Sequence, residues 1–165
     1  MHSDAKKMAV WQNKLGTKTK KRVGIVWTGS RTHRRDHSRS IALSELLAQL
    51  PKEFEYISLQ KEIRHLDKTT LEDITHFEDE IEDFTDTAAL CDLVDLVITV
   101  DTSVAHLSGA LGKPTWLLLS YTPDWRWLLD RSDSPWYPCI KLYRQKTLGN
   151  WVSVLEKVKQ DMGML

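Results

Sequence analysis

The apolar positions of the chain fall into two kinds of segment: short continuous runs, and longer stretches with helical spacing. Short runs rich in β-branched residues and leucine are typical of strands that are covered on both faces. Stretches in which apolar residues recur at helical spacing are typical of helices that bury one face. The runs predict strands at residues 23–27, 54–59, 96–100, 115–119 and 140–143, and the spaced stretches predict helices at residues 4–15, 43–50, 85–93, 104–111 and 150–162.

Strands that alternate with helices predict an α/β fold: a Rossmann-like, doubly wound and mostly parallel sheet with helices on both faces. The segments between these elements are less regular. Residues 28–40 and 121–138 predict long loops, residues 63–75 have some helical character, the acidic residues 78–83 predict a short edge strand, and Thr85 or Asp86 is the expected cap of the helix that follows.

The stretch LVITVDTSVAHLSGALGKPTWLLL, residues 96–119, combines two predicted strands with a helix of small residues between them. Asp101, Thr102 and Ser103 follow the first strand, and their side-chain oxygens are of the kind that caps a helix. Gly112 suits the left-handed position that ends a helix. The segment therefore predicts a compact βαβ unit with a polar turn at the carboxyl end of its first strand.

A helix that begins at that edge of a parallel sheet presents free backbone N–H groups and about half a positive charge, which suits a phosphate group. His106 lies one turn into the predicted helix and could donate a hydrogen bond on the same side. The alternative is a plain βαβ unit with a well-capped helix. Asp101 and Thr102 alone do not separate these two interpretations.

The composition narrows the class of protein. The 165 residues suffice for one compact domain, and 23 Lys and Arg balance 23 Asp and Glu, so no global charge attracts nucleic acid or an anionic membrane. No apolar segment approaches the roughly 20 residues that span a bilayer, and the polar N-terminus does not resemble a secretory signal. Two cysteines, with Cys91 in an apolar helical pattern and Cys139 elsewhere, fit a reduced cytoplasmic protein.

The loop TGSRTHRRDHSRS, residues 28–40, contains four arginines, whose guanidinium groups match phosphate oxygens in pairs. Arg39 borders the next helix, so we expect it to be anchored near the strand ends. The other arginines, Arg31, Arg34 and Arg35, are expected on a mobile surface. The two histidines of the loop have no clean metal-ligand spacing, which disfavours a zinc site.

Residues 121–138 contain an unusual concentration of aromatic side chains. They could pack over the edge of the sheet or stack on a base or a sugar, and packing is the more common role of large aromatic residues. The residues concerned are Trp125, Trp127, Trp136 and Tyr137.

Taken together, these motifs resemble the C-terminal, nucleotide-sugar-binding half of a GT-B glycosyltransferase. The resemblance is strongest to the heptosyltransferase-like group, glycosyltransferase family 9, and within it to the domain that follows tetratricopeptide repeats. The motifs that carry it are VGIVWTGS at 23–30, RSIAL at 39–43, YISLQKE at 56–62, DTAAL at 86–90, the segment 95–119, and PDWRWLLDRSDSPWYP at 123–138.

The resemblance implies a donor site for a nucleoside-diphosphate sugar, with no metal and no cofactor. It implies that Arg39 and His106 stabilise the leaving group, and that the general base is absent from this chain. Ser103 departs from the glycine that is common in heptosyltransferases, which leaves the sugar open. The implied donor-binding residues are Thr28, Gly29, Arg39, Gln60, Lys61, Glu62, Phe84, Asp101, Thr102, Ser103 and His106.

The same resemblance implies a connector helix and linker at residues 1–21 and a nucleotide-sugar-binding domain at residues 22–165. The implied partners are an N-terminal acceptor domain, which this chain lacks, and tetratricopeptide repeats. The chain is then expected to be the donor half of a metal-independent inverting glycosyltransferase that acts on a glycan, lipopolysaccharide or protein. The alternative is a non-catalytic Rossmann-like binding or interaction module. A nucleic-acid binder that uses the basic loop is disfavoured by the neutral net charge.

Overall fold

The computed structural model describes residues 1–165, apart from the side chain of Glu78. Its centre is a five-stranded sheet with the order β2-β1-β3-β4-β5, in which each pair of neighbours is parallel. This topology confirms the predicted α/β, Rossmann-like doubly wound fold. The strands are β1 at Arg22–Val26, β2 at Glu55–Ser58, β3 at Leu96–Val100, β4 at Thr115–Leu119 and β5 at Ile140–Arg144.

The described residues form six α-helices around the sheet, and five of them match predicted helices. The sixth, α2, is a single turn inside the predicted loop 28–40. The helices are α1 at Ala5–Leu15, α2 at Asp36–Arg39, α3 at Leu43–Gln49, α4 at Phe84–Leu93, α5 at Ser103–Ala110 and α6 at Val152–Met162. No helix among the described residues has the length and apolar character to cross a bilayer.

Alternate strand residues face opposite layers of helices. Ile98 packs with α3 and α6 on one side, whereas its neighbour Val97 packs with α1 and α4 on the other. Leu117 faces a third apolar cluster, formed with α5 and the fully buried Trp127. Cys91 is buried in α4, as predicted. The sheet is therefore covered on both faces, as its continuous apolar strands require.

Two local predictions are wrong. Residues 78–83 do not form an edge strand, because Glu78–Glu80 is a short 3-10 helix that leads into α4. The cap of α4 is Asp83, not Thr85 or Asp86. Its carboxylate accepts from two backbone N–H groups, while Asp86 reaches back to the backbone of Asp83 and completes a capping box.

Helix α1 packs on α4 through a buried polar contact. The Trp11 indole donates to Asp86 Oδ1 at 2.9 Å, and Lys7 Nζ lies 2.7 Å from the same oxygen. Burial opposes ionisation of Asp86, but these two donors, together with the backbone N–H groups of Asp83 and Glu82, outweigh it and lower its pKa. Gly16 ends the helix with φ +65°, a conformation that glycine adopts without steric cost.

Strand β1 lies between β2 and β3. The chain runs from β1 to its neighbour on one side, β2, and then crosses back to its neighbour on the other side, β3. Ligands of doubly wound folds bind at this switch point, outside the carboxyl ends of the strands. Thr28, Gln60 and Asp101 all lie just beyond the carboxyl ends of these three strands. The fold therefore places the predicted polar segments where a ligand site is expected.

Candidate functional site

Two clefts open at the carboxyl edge of the sheet, on either side of the start of α5. The first cleft has a volume of about 430 Å³ and the second about 380 Å³. Thr102 and Ser103 line both, so the helix start forms the wall between them. The other predicted donor-binding residues divide between the clefts: Thr28, Gly29, Gln60, Lys61, Glu62 and Phe84 line the first, and Arg39, Asp101 and His106 line the second.

The first turn of α5 has no side-chain cap. Thr102 occupies the cap position with φ −140° and ψ 173°, but no side chain there accepts from the backbone. Its hydroxyl instead lies 3.2 Å from that of Thr99. The prediction that Asp101, Thr102 or Ser103 caps the helix is therefore wrong, because the hydroxyl of Thr102 turns back to the strand. Among the described residues, the N–H groups of Ser103 and Val104 have no partner and stay free for an anion, whereas that of Ala105 donates to the carbonyl of Thr102 at 3.1 Å.

Arg39 is fixed beside this helix start. Its Nη1 donates to the carbonyl oxygen of Asp101 at 2.7 Å, and its Nε lies 3.5 Å from Asp36 Oδ1. Arg64 forms an ion pair with the other carboxylate oxygen of Asp36. The guanidinium side chain is only 17% exposed. Arg39 is therefore anchored as the sequence predicts, with further N–H groups available at the second cleft.

His106 is held by two aromatic residues. Its ring stacks on Trp127 with centroids 5.1 Å apart, and its Nδ1 lies 3.2 Å from the hydroxyl of Tyr137. The Nε2 atom has no hydrogen-bond partner among the described residues and belongs to a side chain that lines the second cleft. The ring can therefore offer Nε2 to a ligand in a fixed orientation.

Asp101 lies in an environment that opposes ionisation of its carboxyl. Burial raises the pKa of its carboxyl, and the carboxylate of Asp124 raises it further. The indole N–H of Trp127, Arg39 and His106 act in the opposite direction. That indole N–H is buried and makes no hydrogen bond of normal geometry with the described residues. The neutral form of Asp101 is thus favoured relative to an exposed aspartate.

Gln60 braces the end of β1. Its side-chain oxygen accepts from the backbone N–H groups of Trp27 at 3.3 Å and Thr28 at 3.2 Å, and its amide nitrogen donates to the carbonyl of Thr28 at 3.0 Å. The residue is buried. These bonds occupy both polar atoms of the side chain. The role of Gln60 is therefore to hold the backbone of Trp27 and Thr28 in place at the first cleft.

The rim of the first cleft is formed by exposed residues. Phe84 is 59% exposed, and Lys61 Nζ donates to the carbonyl of Glu82 across the opening. Glu62 also lines the cleft and lies in the exposed segment that follows β2. The exposed ring of Phe84 can stack on a planar group, and the charged side chains of Lys61 and Glu62 can form hydrogen bonds to hydroxyl groups.

Three charged residues that line the second cleft were not predicted from the sequence as site residues. Arg35 was expected on a mobile surface, yet it lines this cleft together with Asp124 and Arg126. Trp127 packs over the sheet edge with Tyr137 partly buried beside it, whereas Trp125 and Trp136 are 71% and 57% exposed. The sequence signal for Asp124 and Arg126 is the motif PDWRW, in which these two charged residues flank Trp125.

Among the described residues, no group of three or more His, Cys, Asp or Glu side chains has the arrangement of a metal site. The guanidinium groups that line the second cleft are those of Arg35, Arg39 and Arg126. The imidazoles of His33 and His106 and the start of α5 line it too.

No family model matches the chain. Protein FlbA of Caulobacter vibrioides is 34% identical to it over 76 residues, which is 46% of this chain and 12% of FlbA. Two solved structures of a variant of the wall teichoic acid polymerase TagF are similar to the chain. The structure of the variant alone has 15% identity and a TM-score of 0.41, and that of the variant soaked with CDPG has 16% identity and a TM-score of 0.47. They cover 68% and 96% of this chain, which spans 28% and 40% of the polymerase chains. The chain thus matches only a minor part of each of these proteins.

Proposed function

We propose that the chain is the donor-binding half of a metal-independent, inverting glycosyltransferase. A nucleoside-diphosphate sugar is its substrate, with the diphosphate at the start of α5. The observation that carries the proposal is the uncapped first turn of this helix between two clefts, with Arg39 and His106 beside it. Free N–H groups, a helix dipole and two donor side chains at one point suit a diphosphate.

The two clefts differ in chemistry in a way that fits the two ends of such a donor. Apolar walls from Val26, Leu59 and Val104, with Phe84 at the rim, make the first cleft suitable for a nucleoside. The second cleft is lined mainly by charged and hydroxyl side chains, which suits the sugar and its phosphate. The donor would then cross the wall formed by Thr102 and Ser103.

The reaction breaks the bond between the sugar carbon and the diphosphate oxygen, and the bonding electrons remain on that oxygen. The acceptor hydroxyl forms the new bond to the carbon and gives up its proton to a general base outside this chain. Negative charge grows on the departing diphosphate, where the N–H groups of α5, Arg39 and His106 can oppose it without a metal. Groups already fixed in position stabilise such charge at little cost of reorganisation.

In this proposal residues 1–21 connect the donor half to an N-terminal acceptor domain in a cytoplasmic protein, with tetratricopeptide repeats as a further partner. The acceptor is a glycan, a lipopolysaccharide or a protein. The contact between Trp11 and Asp86 would fix the connector helix on the donor half.

An amide NMR titration with UDP, ADP, GDP and CDP, and with their sugar conjugates, tests the proposal. We expect one nucleotide to shift the amides of residues 28–30 and 101–106. Arg39→Ala should weaken this binding on the order of tenfold, as expected for one charge-assisted hydrogen bond. Arg34→Ala is the matched control, because Arg34 comes from the same loop and lines neither cleft.

Shifts confined to other surfaces, or equal affinity of wild type and Arg39→Ala, would contradict the donor site. Silence to every nucleotide, in this chain and in a longer chain that includes the neighbouring domain, would favour the non-catalytic binding module instead.

A further inference from the structure

A third cleft, of about 580 Å³, lies beside the second and is lined by two short segments, residues 31–37 and 64–66. His33 lines both the second and the third cleft, so the two adjoin. We name the third the basic cleft. Its charged residues are Arg31, Arg34, Arg64 and Asp36, and three histidines complete the polar lining: His33, His37 and His65.

The charges of the basic cleft do not cancel. Its one carboxylate, Asp36, is buried and forms ion pairs with Arg64 and with Arg39, which belongs to the neighbouring cleft. Arg31 and Arg34 make no ion pair with any described residue. A chain with zero net charge therefore concentrates unopposed arginines in one place.

Two of the arginines are held in position, Arg31 by an uncharged group alone and Arg64 by a hydroxyl and the carboxylate of Asp36. Arg31 Nη2 donates to the carbonyl of Ile63 at 3.3 Å, and Arg64 Nη2 donates to the hydroxyl of Ser40 at 3.2 Å as well as to Asp36. Such fixed guanidinium groups keep further N–H donors for a ligand and lose less entropy on binding.

We infer that the basic cleft binds a phosphate group carried by the acceptor substrate. Guanidinium groups pair with phosphate oxygens in a fork geometry, and three of them line this cleft. The acceptor assignment rests on the proposed function: sugar transfer would take place at the second cleft, and an acceptor that extends past His33 would bring its phosphate among Arg31, Arg34 and Arg64. The chain has zero net charge, and no Phe, Tyr or Trp is among the described residues that line the basic cleft, which favours a single anionic group over a nucleic acid.

The test is an amide NMR titration of the isotope-labelled chain with glucose phosphate, glucose, inorganic phosphate and a nucleoside diphosphate. Glucose phosphate is expected to shift residues 31–37 and 64–66, whereas glucose leaves them unchanged and the nucleoside diphosphate shifts residues 101–106. Arg34→Glu should raise the Kd for glucose phosphate at least tenfold and leave nucleotide affinity within twofold. Lys159→Glu, an equal charge change on the exposed side of α6, should alter neither.

Each remaining outcome overturns the inference at a defined point. Shifts from glucose phosphate at residues 101–106 alone would mean that the chain has a single anion site. Inorganic phosphate that binds as tightly as glucose phosphate would make the cleft a free-phosphate site. An oligonucleotide that binds the same residues far more tightly would identify a nucleic-acid surface. A response at residues 31–37 without any nucleotide response would refute the donor site and the acceptor role, but keep the phosphate site.

Discussion

The guanidinium of Arg39 lies directly against the backbone of Gly29. A Cβ at position 29 would stand 2.3 Å from Nη2 of Arg39 and 2.6 Å from its Cζ. Asp101 and Asp36 hold the same guanidinium on other sides. Glycine at position 29 therefore has a steric role, because the guanidinium of Arg39 occupies the space that a side chain at this position would need.

Gly29→Ala is expected to displace Arg39 without unfolding the chain. The atoms in conflict are the end of a flexible side chain, which can swing away at small cost to stability. The displaced guanidinium loses its bond to the Asp101 carbonyl, so affinity for the nucleoside diphosphate should fall by about 1 kcal/mol or more. Calorimetric titration measures this loss, and a thermal melt should show a nearly unchanged Tm.

The double variant Gly29→Ala with Arg39→Ala gives the control. If the methyl group acts only through Arg39, it should have no further effect on binding once that side chain is gone. An additional loss in the double variant would show that position 29 acts on the ligand directly.

His106→Ala should reduce diphosphate affinity by about 1.5–3 kcal/mol, since a donor to an anion is removed. Tyr137→Phe keeps the ring that packs near His106 and removes only the hydroxyl beside Nδ1. Its effect should be smaller, within about 1 kcal/mol. Titrations of the two variants with one nucleotide compare these losses. Equal losses of affinity in His106→Ala and Tyr137→Phe would indicate that His106 contributes to binding only when the Tyr137 hydroxyl orients its ring.

Asp101→Asn is expected to preserve or improve binding of a free nucleoside diphosphate. The carboxylate shares its cleft with Asp124, and burial already raises its pKa, so a bound anion adds a further opposing charge. Removing that charge should gain on the order of 1 kcal/mol, and more at high pH, where the wild-type carboxyl is ionised. Parallel titrations with a sugar nucleotide complete the test. A loss confined to the sugar nucleotide would place the carboxylate on a sugar hydroxyl.

Gly109→Ala should destabilise the fold. A Cβ there would lie 2.6 Å from Cγ of Tyr137 and 2.9 Å from Cδ1 of Ile140, and both belong to packed side chains. Overpacking of this kind costs about 1–3 kcal/mol, which exceeds the helix preference of alanine over glycine. Urea unfolding measures the change. Gly163→Ala is the control, because its nearest atoms are 3.4 Å and 3.8 Å away and little change is expected.

The sheet and its main helices follow from the sequence because their signals are local. The apolar run 96–100 and the small residues of α5 carry their periods within a few positions, and Gly112 marks the helix end, with φ +75° in the structure. Helix α2 is a single turn, too short to show a period. The cap of α4 is encoded by Asp83 and Asp86, and the nearby Thr85 offers a competing hydroxyl.

The candidate site is only partly visible in the sequence. Arg39 and His106 adjoin predicted elements, so their position at the sheet edge follows from the topology. Arg35 and Arg126 reach the second cleft through long irregular loops, whose paths have no period to interpret. The missing cap of α5 depends on the direction of one hydroxyl, that of Thr102, which composition does not determine.

Asp161 gives a prediction for stability at acid pH. The residue is buried in α6, which opposes ionisation, but Lys141 at 2.6 Å, Lys157 at 2.9 Å and the Tyr143 hydroxyl at 2.8 Å outweigh burial and lower its pKa to about 2. The unfolded chain has the ordinary carboxyl pKa of about 3.9, so it binds this proton more readily than the folded protein does. The contact therefore stabilises the fold fully above about pH 4 and is lost as the pH falls toward 2.

Asp161→Asn should lower the free energy of unfolding by about 1–3 kcal/mol at pH 7, because it removes charge-assisted bonds from two lysines. The difference between variant and wild type should shrink between pH 4 and pH 2, where the wild-type carboxyl becomes protonated. Urea unfolding at several pH values measures this difference. A gap that stays constant down to pH 2 would mean that the asparagine disturbs packing around α6 and that the charge of Asp161 contributes nothing to stability.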